Sequence, residues 1–322
     1  MPTSNQPTRR AFLGQALGIG ASSLVAPLVL GRDALAAQDE KKPAGWQIGC
    51  FTRPWDKYDY RVALDAIAEA GFKHAGLMTT KSDKGNLVIS VNTTPEEAHQ
   101  IGRQAKQRGL AIPSVYGGGF PVQKSLQDGI DGLRRLIDNC AAAEAKTLML
   151  GGTGNAQLFE RYYQAVAEVC DYAAEKQVGI VLKPHGGFNA TGPQCRKTIQ
   201  RVGHKSFTLW YDPGNIFFYS DGKLDPVDDA PTVDGLVTGM CIKDFTMSTT
   251  DGKLTKDVLV APGTGRVDFP AVLAALNRGG FTGGPLVIET LPRGEPAAIL
   301  AAARKAREFV RQLVRPPVTL QS

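Results

Sequence analysis

From Trp46 onward, short apolar runs alternate with stretches in which apolar residues return every three or four positions. The runs predict strands at 46–51, 73–78, 110–116, 146–150, 178–182, 207–211, 236–242 and 285–288. The helical spacing predicts helices over 60–70, 94–108, 128–143, 157–176, 193–202, 268–278 and 296–313. Val62, Ala63, Ile67 and Ala70 share one face of the first. Thr94 is a good N-cap, with Glu96 and Glu97 in the first turn, and Gly71 and Gly109 stop their helices. The sixth unit is the weakest, its helix short or absent: 213–231 reads as a long loop rich in Asp and Pro, with a turn at Asp212-Pro213-Gly214 as the alternative to a site role for Asp212. Eight strand–helix units in one chain predict an α/β fold of the (β/α)8 TIM-barrel type, forming a single domain.

Residues 1–36 stand apart. Arg9-Arg10 precedes a weakly apolar run from Ala16 to Leu30, and Ala34-Leu35-Ala36 offers a cleavage site. This reads as a twin-arginine (Tat) signal peptide, with the Tat export machinery as a partner and a periplasmic or extracellular destination. The run is short and broken by glycines and a proline, so no stable membrane span is expected. The barrel domain then occupies 37–322.

The net charge of +6 includes Arg9, Arg10 and Arg32 of the leader. The remaining basic residues are scattered beside acids, which argues against nucleic acid as a partner. Five cysteines, Cys50, Cys140, Cys170, Cys195 and Cys241, form no C-x-x-C pair.

A barrel carries its chemistry where the strands end. The fifth predicted strand runs through Val181 and Leu182 into Lys183, Pro184, His185, Gly186 and Gly187. Side chains alternate along a strand, so Lys183 and His185 lean to the same side. The sixth strand ends in Asp212, the seventh in Lys243 and Asp244, and the eighth in Glu289. Neighbouring carboxylates are costly without a cation or proton between them, so Asp212 and Glu289 imply a metal, a lysine partner or a raised pKa. The first strand ends in Thr52 and Arg53, with Trp55 close by. Trp55, Tyr116, Phe120, Phe188 and Phe217 lie near strand ends, where aromatic rings as often pack the loops as face a bound molecule. His74 reads as a residue near the barrel's bottom, and His99 and His204 as surface residues.

These strand ends together resemble the xylose isomerase-like TIM barrel superfamily, the sugar phosphate isomerase/epimerase family. The resemblance covers nearly all of the chain past the leader. It rests on 183–187, 211–215, 242–244, 262–269 and 285–289. Gly263 and Gly265 follow a long loop rather than a strand, so they are not a dinucleotide fingerprint. The family binds a divalent cation through Glu, Asp, His and Glu at the ends of the fifth to eighth strands. Asp212 and Glu289 match that pattern, whereas Lys183 stands at the first Glu and Cys241 at the His.

Two readings follow. His185 moves in, giving His185, Asp212 and Glu289 as ligands of Mn, Zn or Mg. Otherwise the metal is gone and Lys183 forms the positive centre between the carboxylates. The resemblance implies proton transfer next to the carbonyl of a carbohydrate, with Lys183, His185 and Glu289 as catalytic residues. Lys243, Asp244, Arg266 and Trp55 are the expected substrate contacts. The alternatives are a non-catalytic carbohydrate-binding barrel and a lyase or hydrolase of an oxidised sugar.

Overall fold

Parallel strands β1 (Trp46–Phe51), β2 (His74–Gly76), β3 (Val115–Tyr116), β4 (Thr147–Leu150), β5 (Gly179–Leu182), β6 (Phe207–Tyr211), β7 (Val237–Ile242) and β8 (Gly284–Ile288) run side by side around a barrel. The computed structural model describes residues 45–250 and 253–315; the expected leader lies outside the described residues. β1 pairs with both β2 and β8, and the ladder continues in chain order from β8 back to β3. Single parallel bridges, His74 to Ala111 and Leu77 to Val115, join β2 to β3 and close the circle. Leu77 donates its N–H to Ser114, and Tyr116 donates to Leu77. The predicted third strand shrinks to two residues because Pro113 has no N–H to offer the ladder.

Helices α1 (Tyr60–Glu69), α2 (Pro95–Gln107), α3 (Leu126–Ala142), α4 (Ala156–Glu175), α5 (Gly192–Val202), α6 (Pro213–Tyr219), α7 (Phe269–Arg278) and α8 (Pro296–Leu313) follow the strands. α2 begins with a full capping box, in which Thr94 and Glu97 each satisfy the other's backbone N–H. The expected loop after β6 instead opens with α6. Asp212 is its N-cap, accepting from the Asn215 N–H, and Pro213 supplies a preset first turn. Two hairpins leave the C-terminal ends of β2 and β7: Thr79–Ser82 with Gly85–Leu87, and Thr246–Thr250 with Lys253–Asp257. Among the described residues no helix is long and apolar enough to cross a membrane.

The barrel interior is a packed plug. Phe51, Met78, Met149, Val181, Trp210, Cys241 and Val287 form their own buried cluster, separate from the larger core beneath the helices. The rings of Phe51 and Trp210 lie 6.3 Å apart, and each presses on a neighbouring strand at a glycine. A Cβ on Gly76 would lie 2.2 Å from the Phe51 ring, and one on Gly239 2.4 Å from the Trp210 indole. The side-chain period of two then fixes what comes above the plug. Two residues beyond Val181, Trp210, Cys241 and Val287 stand Lys183, Asp212, Lys243 and Glu289, and Arg53 joins them from the helical turn after β1.

Gly76→Ala should therefore destabilise the barrel by about 1–3 kcal/mol through overpacking, read as a fall of several degrees in calorimetric Tm. Adding Phe51→Leu should recover part of that loss. A double variant no more stable than Gly76→Ala alone would contradict the plug contact.

Candidate active site

Asp212 and Glu289 lie fully buried at the barrel mouth, and their oxygens are taken up by neighbours on the same layer. Lys183 bridges the pair, contacting Glu289 Oε2 in a short ion pair and Asp212 Oδ2 at 3.2 Å. Lys243 bridges them again, donating to Asp212 Oδ2 at 3.0 Å, Glu289 Oε1 at 2.7 Å and Asn215 Oδ1 at 3.1 Å. Arg53 makes a short ion pair with Glu289 Oε1, and the Asn215 N–H occupies Asp212 Oδ1. Asn215 is itself held by donating its amide to the Pro184 carbonyl at 2.6 Å. The strand ends thus supply three cations and two anions, with both lysines and both carboxylates shut away from water.

Charge decides the protonation states. Burial alone would lower the Lys183 pKa, but Glu289 and Asp212 outweigh it and hold the ammonium above its ordinary value. Burial lowers Lys243, and the two carboxylates only partly offset that against the like charge of Lys183. Burial would raise Glu289, yet Lys183, Lys243 and Arg53 together pull it well below the usual carboxylate range. Burial pushes the Cys241 thiol far up, so it stays protonated.

His185 sits just beyond this layer, on the loop that follows β5. Its ring rests over Gly151 and lies 5.8 Å from the Tyr219 ring. Its side chain is exposed to solvent, and among the described residues neither ring nitrogen has a hydrogen-bond partner. Crowding by surrounding atoms, and next the Lys183 charge, push its pKa down to about 4. The imidazole is therefore neutral and unengaged near pH 7. Beside it, Gly186 and Gly187 take positive φ, and His185 N–H bonds the Asn189 carbonyl, which shapes a tight turn.

A cavity of about 170 Å³ opens next to Glu289, lined among others by Arg53, Asp56, Lys256, Thr290 and Arg293. The hairpin after β7 covers it. Lys256 of that hairpin bonds the Phe218 carbonyl at 2.9 Å and Asp221 at 2.6 Å, tying the cover to the end of α6. The Thr290 hydroxyl on the cavity wall is buried with no partner among the described residues.

Three of the expected substrate contacts are placed elsewhere. Asp244 points away from the mouth and is fully buried. Its Oδ1 accepts from Phe245 and Val267 N–H and its Oδ2 from Gly263 and Gly265 N–H, so it clamps the loop leading to α7. Trp55 is wholly buried in the core under the helices and cannot stack on a sugar. Arg266 lies on the outer rim, its guanidinium 4.7 Å over the Phe217 ring and bonded to the Gly222 carbonyl. Of the remaining aromatics, Phe120 and Phe217 are core residues, and Phe188 packs on Phe159 at 5.0 Å. His204 pairs with Asp171, and His74 lines the groove at the barrel's opposite end.

The sequence places Arg53 at the end of the first strand but gives no role to it, to Asn215 or to Thr290. Arg53 reaches Glu289 from a helical turn that strand parity does not cover, and the helix-capping pattern after Asp212 would have found Asn215. Nothing in the sequence marks Thr290.

A possible metal site is present in geometric terms: ligand-type atoms of Asp212, Cys241 and Glu289 lie within 4.8 Å of one another. Cys241 takes the place expected for His185, which sits beyond the strand end rather than in the floor. These residues do not fit a divalent ion as they stand. The thiol is protonated, and two ammonium groups already occupy the space between the carboxylates. An added dication would meet three positive charges in a buried pocket.

Two outcomes follow from this charge set. Because the folded-state pKa of Glu289 is depressed, its stabilising contribution is present above the ordinary value of 4.5 and is lost as pH falls below it. Urea unfolding should show that loss, and Glu289→Gln should cost about 3–5 kcal/mol at pH 7 by leaving buried cations underpaired. Asp244→Ala should instead speed hydrogen exchange at Gly263, Gly265 and Val267, since their N–H groups lose their acceptor.

Residues 64–313 match the family profile described as "Xylose isomerase-like TIM barrel". The chain is 23% identical over 254 residues to an inosose dehydratase of Geobacillus thermodenitrificans (strain NG80-2), spanning 69% of this chain and 83% of that protein. Its fold is similar to that of a xylose isomerase-like TIM barrel protein from Mycobacterium smegmatis solved with magnesium, with TM-score 0.65, 17% identity and coverage of 83% and 96%. It is also similar to a D-allulose 3-epimerase from Methylomonas sp. solved with D-allulose, with TM-score 0.63, 16% identity and coverage of 84% and 98%. With a closed eight-stranded barrel and a family match over most of its length, this chain belongs to the xylose isomerase-like TIM barrel family.

Proposed function

We propose that this protein is a carbohydrate-modifying enzyme that removes a proton from the carbon next to a sugar or polyol carbonyl. The observation that carries the reading is the buried set of Lys183, Lys243 and Arg53 around Asp212 and Glu289, beside a polar cavity at the strand ends. Charge that develops on a carbonyl oxygen as the neighbouring proton leaves is stabilised by fixed cations in a site of low dielectric. His185 is the base, because it is neutral and has no hydrogen-bond partner among the described residues. Glu289, expected from the sequence to take that role, has both oxygens occupied by cations and instead holds Lys183 and Arg53 in place.

Epimerisation, aldose–ketose isomerisation and dehydration beside a carbonyl share this first step. They differ in whether the proton returns to the other face, returns to the next carbon, or a hydroxyl leaves. The 3-epimerase and inosose dehydratase relatives support this common step. The dehydratase, similar to this chain in sequence, favours the lyase branch as a second reading. The substrate is a neutral or oxidised sugar rather than a sugar phosphate, in keeping with the export expected from the twin-arginine leader.

The test is incubation in deuterated water with aldoses, ketoses, inososes and oxidised glycosides, followed by proton NMR. The wild-type protein should exchange one C–H or release product, and His185→Gln should slow this by about 100-fold or more. The rate should rise as pH passes through about 4, where His185 loses its proton, and stay level through neutrality. It should fall again at alkaline pH, below the ordinary lysine range, as Lys243 gives up its charge. A sugar that is bound yet left unchanged, with no exchange in any class, would mean a non-catalytic binding barrel.

A further inference from the structure

The floor of the mouth has the geometry of a divalent-cation site and the occupancy of something else. Asp212, Cys241 and Glu289 converge to within 4.8 Å, a spacing suited to one ion. Lys183 Nζ sits between the carboxylates of that cluster, against Glu289 Oε2 and 3.2 Å from Asp212 Oδ2. Lys243 meets three acceptors, Asp212, Asn215 and Glu289, and so spends all three N–H bonds of an ammonium within the protein. Lys183 meets two, which leaves one N–H of its ammonium uncommitted.

We infer that Lys183 is a built-in replacement for a divalent cation: its ammonium holds Asp212 and Glu289 together, excludes metal from the Asp212–Cys241–Glu289 cluster, and offers its third N–H to the substrate's developing oxyanion. Lysine serves this end as a compact point charge with rotatable donors. It neutralises two facing carboxylates without needing open coordination positions. The role towards substrate rests on the proton-abstraction reading above. The exclusion of metal does not, since it follows from the position of Nζ alone.

The charge count makes the exclusion reversible. With Lys183, Lys243 and Arg53 against Asp212 and Glu289 the site is cationic. Lys183→Glu removes one positive charge, adds one negative, and brings a third carboxylate to the same floor. The site then becomes anionic and rich in oxygen donors, as a manganese or magnesium site requires. Lys183→Met removes the ammonium without adding a ligand.

The experiment is calorimetric titration of the purified full-length protein, Lys183→Glu and Lys183→Met with manganese chloride, with elemental analysis after dialysis and circular dichroism to confirm folding. The wild type should take up no stoichiometric manganese. Lys183→Glu should bind about one equivalent, at least about 100-fold more tightly than wild type or Lys183→Met. Saturable one-to-one binding by the wild type, which requires no variant to fold, would overturn the inference. So would a folded Lys183→Glu that binds no better than wild type. These readouts need no substrate, so they stand or fall separately from the deuterium-exchange result. For any sugar that does exchange, a wild-type rate unchanged by EDTA supports the inference, and a rate abolished by EDTA and restored by manganese overturns it.

Discussion

Two carboxylates at the floor of the mouth, Asp212 and Glu289, have no access to water, and an ionised group buried alone costs several kcal/mol. Their pairing with Lys183, Lys243 and Arg53 is the condition on which the rest of the site is built. It explains why four of the five charged side chains leave different strands at the same height, directly above the apolar plug. It also explains why α6 starts where it does. Asp212 spends one oxygen as the cap of that helix, and Asn215 in its first turn supplies the third acceptor that Lys243 needs. Local helix chemistry and the charge balance of the site are thus solved by the same residues.

The barrel was legible because its signals are local and periodic. Apolar runs of a few residues, glycines at helix ends and the Thr94 cap each carry their own meaning, and the strands expected around β1, β4, β5, β6, β7 and β8 lie where those runs are. The sites of disagreement have local causes as well. Pro113 breaks the ladder of the third strand, and the stretch from Pro213, read as a loop, opens with a short helix. The charged floor was legible for Lys183, Asp212 and Glu289 because strand parity carries through from Val181, Trp210 and Val287. Arg53 comes to the floor from the helical turn after β1 instead.

What could not be read was which way a residue beside a strand end turns. Asp244 adjoins Lys243 in sequence and faces the other way, into four backbone N–H groups, one from Phe245 beside it and three from a segment about twenty residues later. Trp55 follows Arg53 by two positions, but the single helical turn after β1 rotates it into the core. Period-two reasoning stops where the strand stops, and these two residues lie past that point. His185 lies past it as well, which is why it reached the mouth without joining the Asp212–Cys241–Glu289 cluster.

The hairpin over the cavity is fastened differently from the floor beneath it. Its tie, Lys256 to Asp221 at the far end of α6, is an ion pair in contact with solvent, whereas the lysine–carboxylate pairs below are sealed. Mobile ions screen the first kind of pair over about 10 Å at 0.1 M salt and barely reach the second. Ionic strength therefore acts on this barrel selectively, loosening the cover while the floor keeps its arrangement.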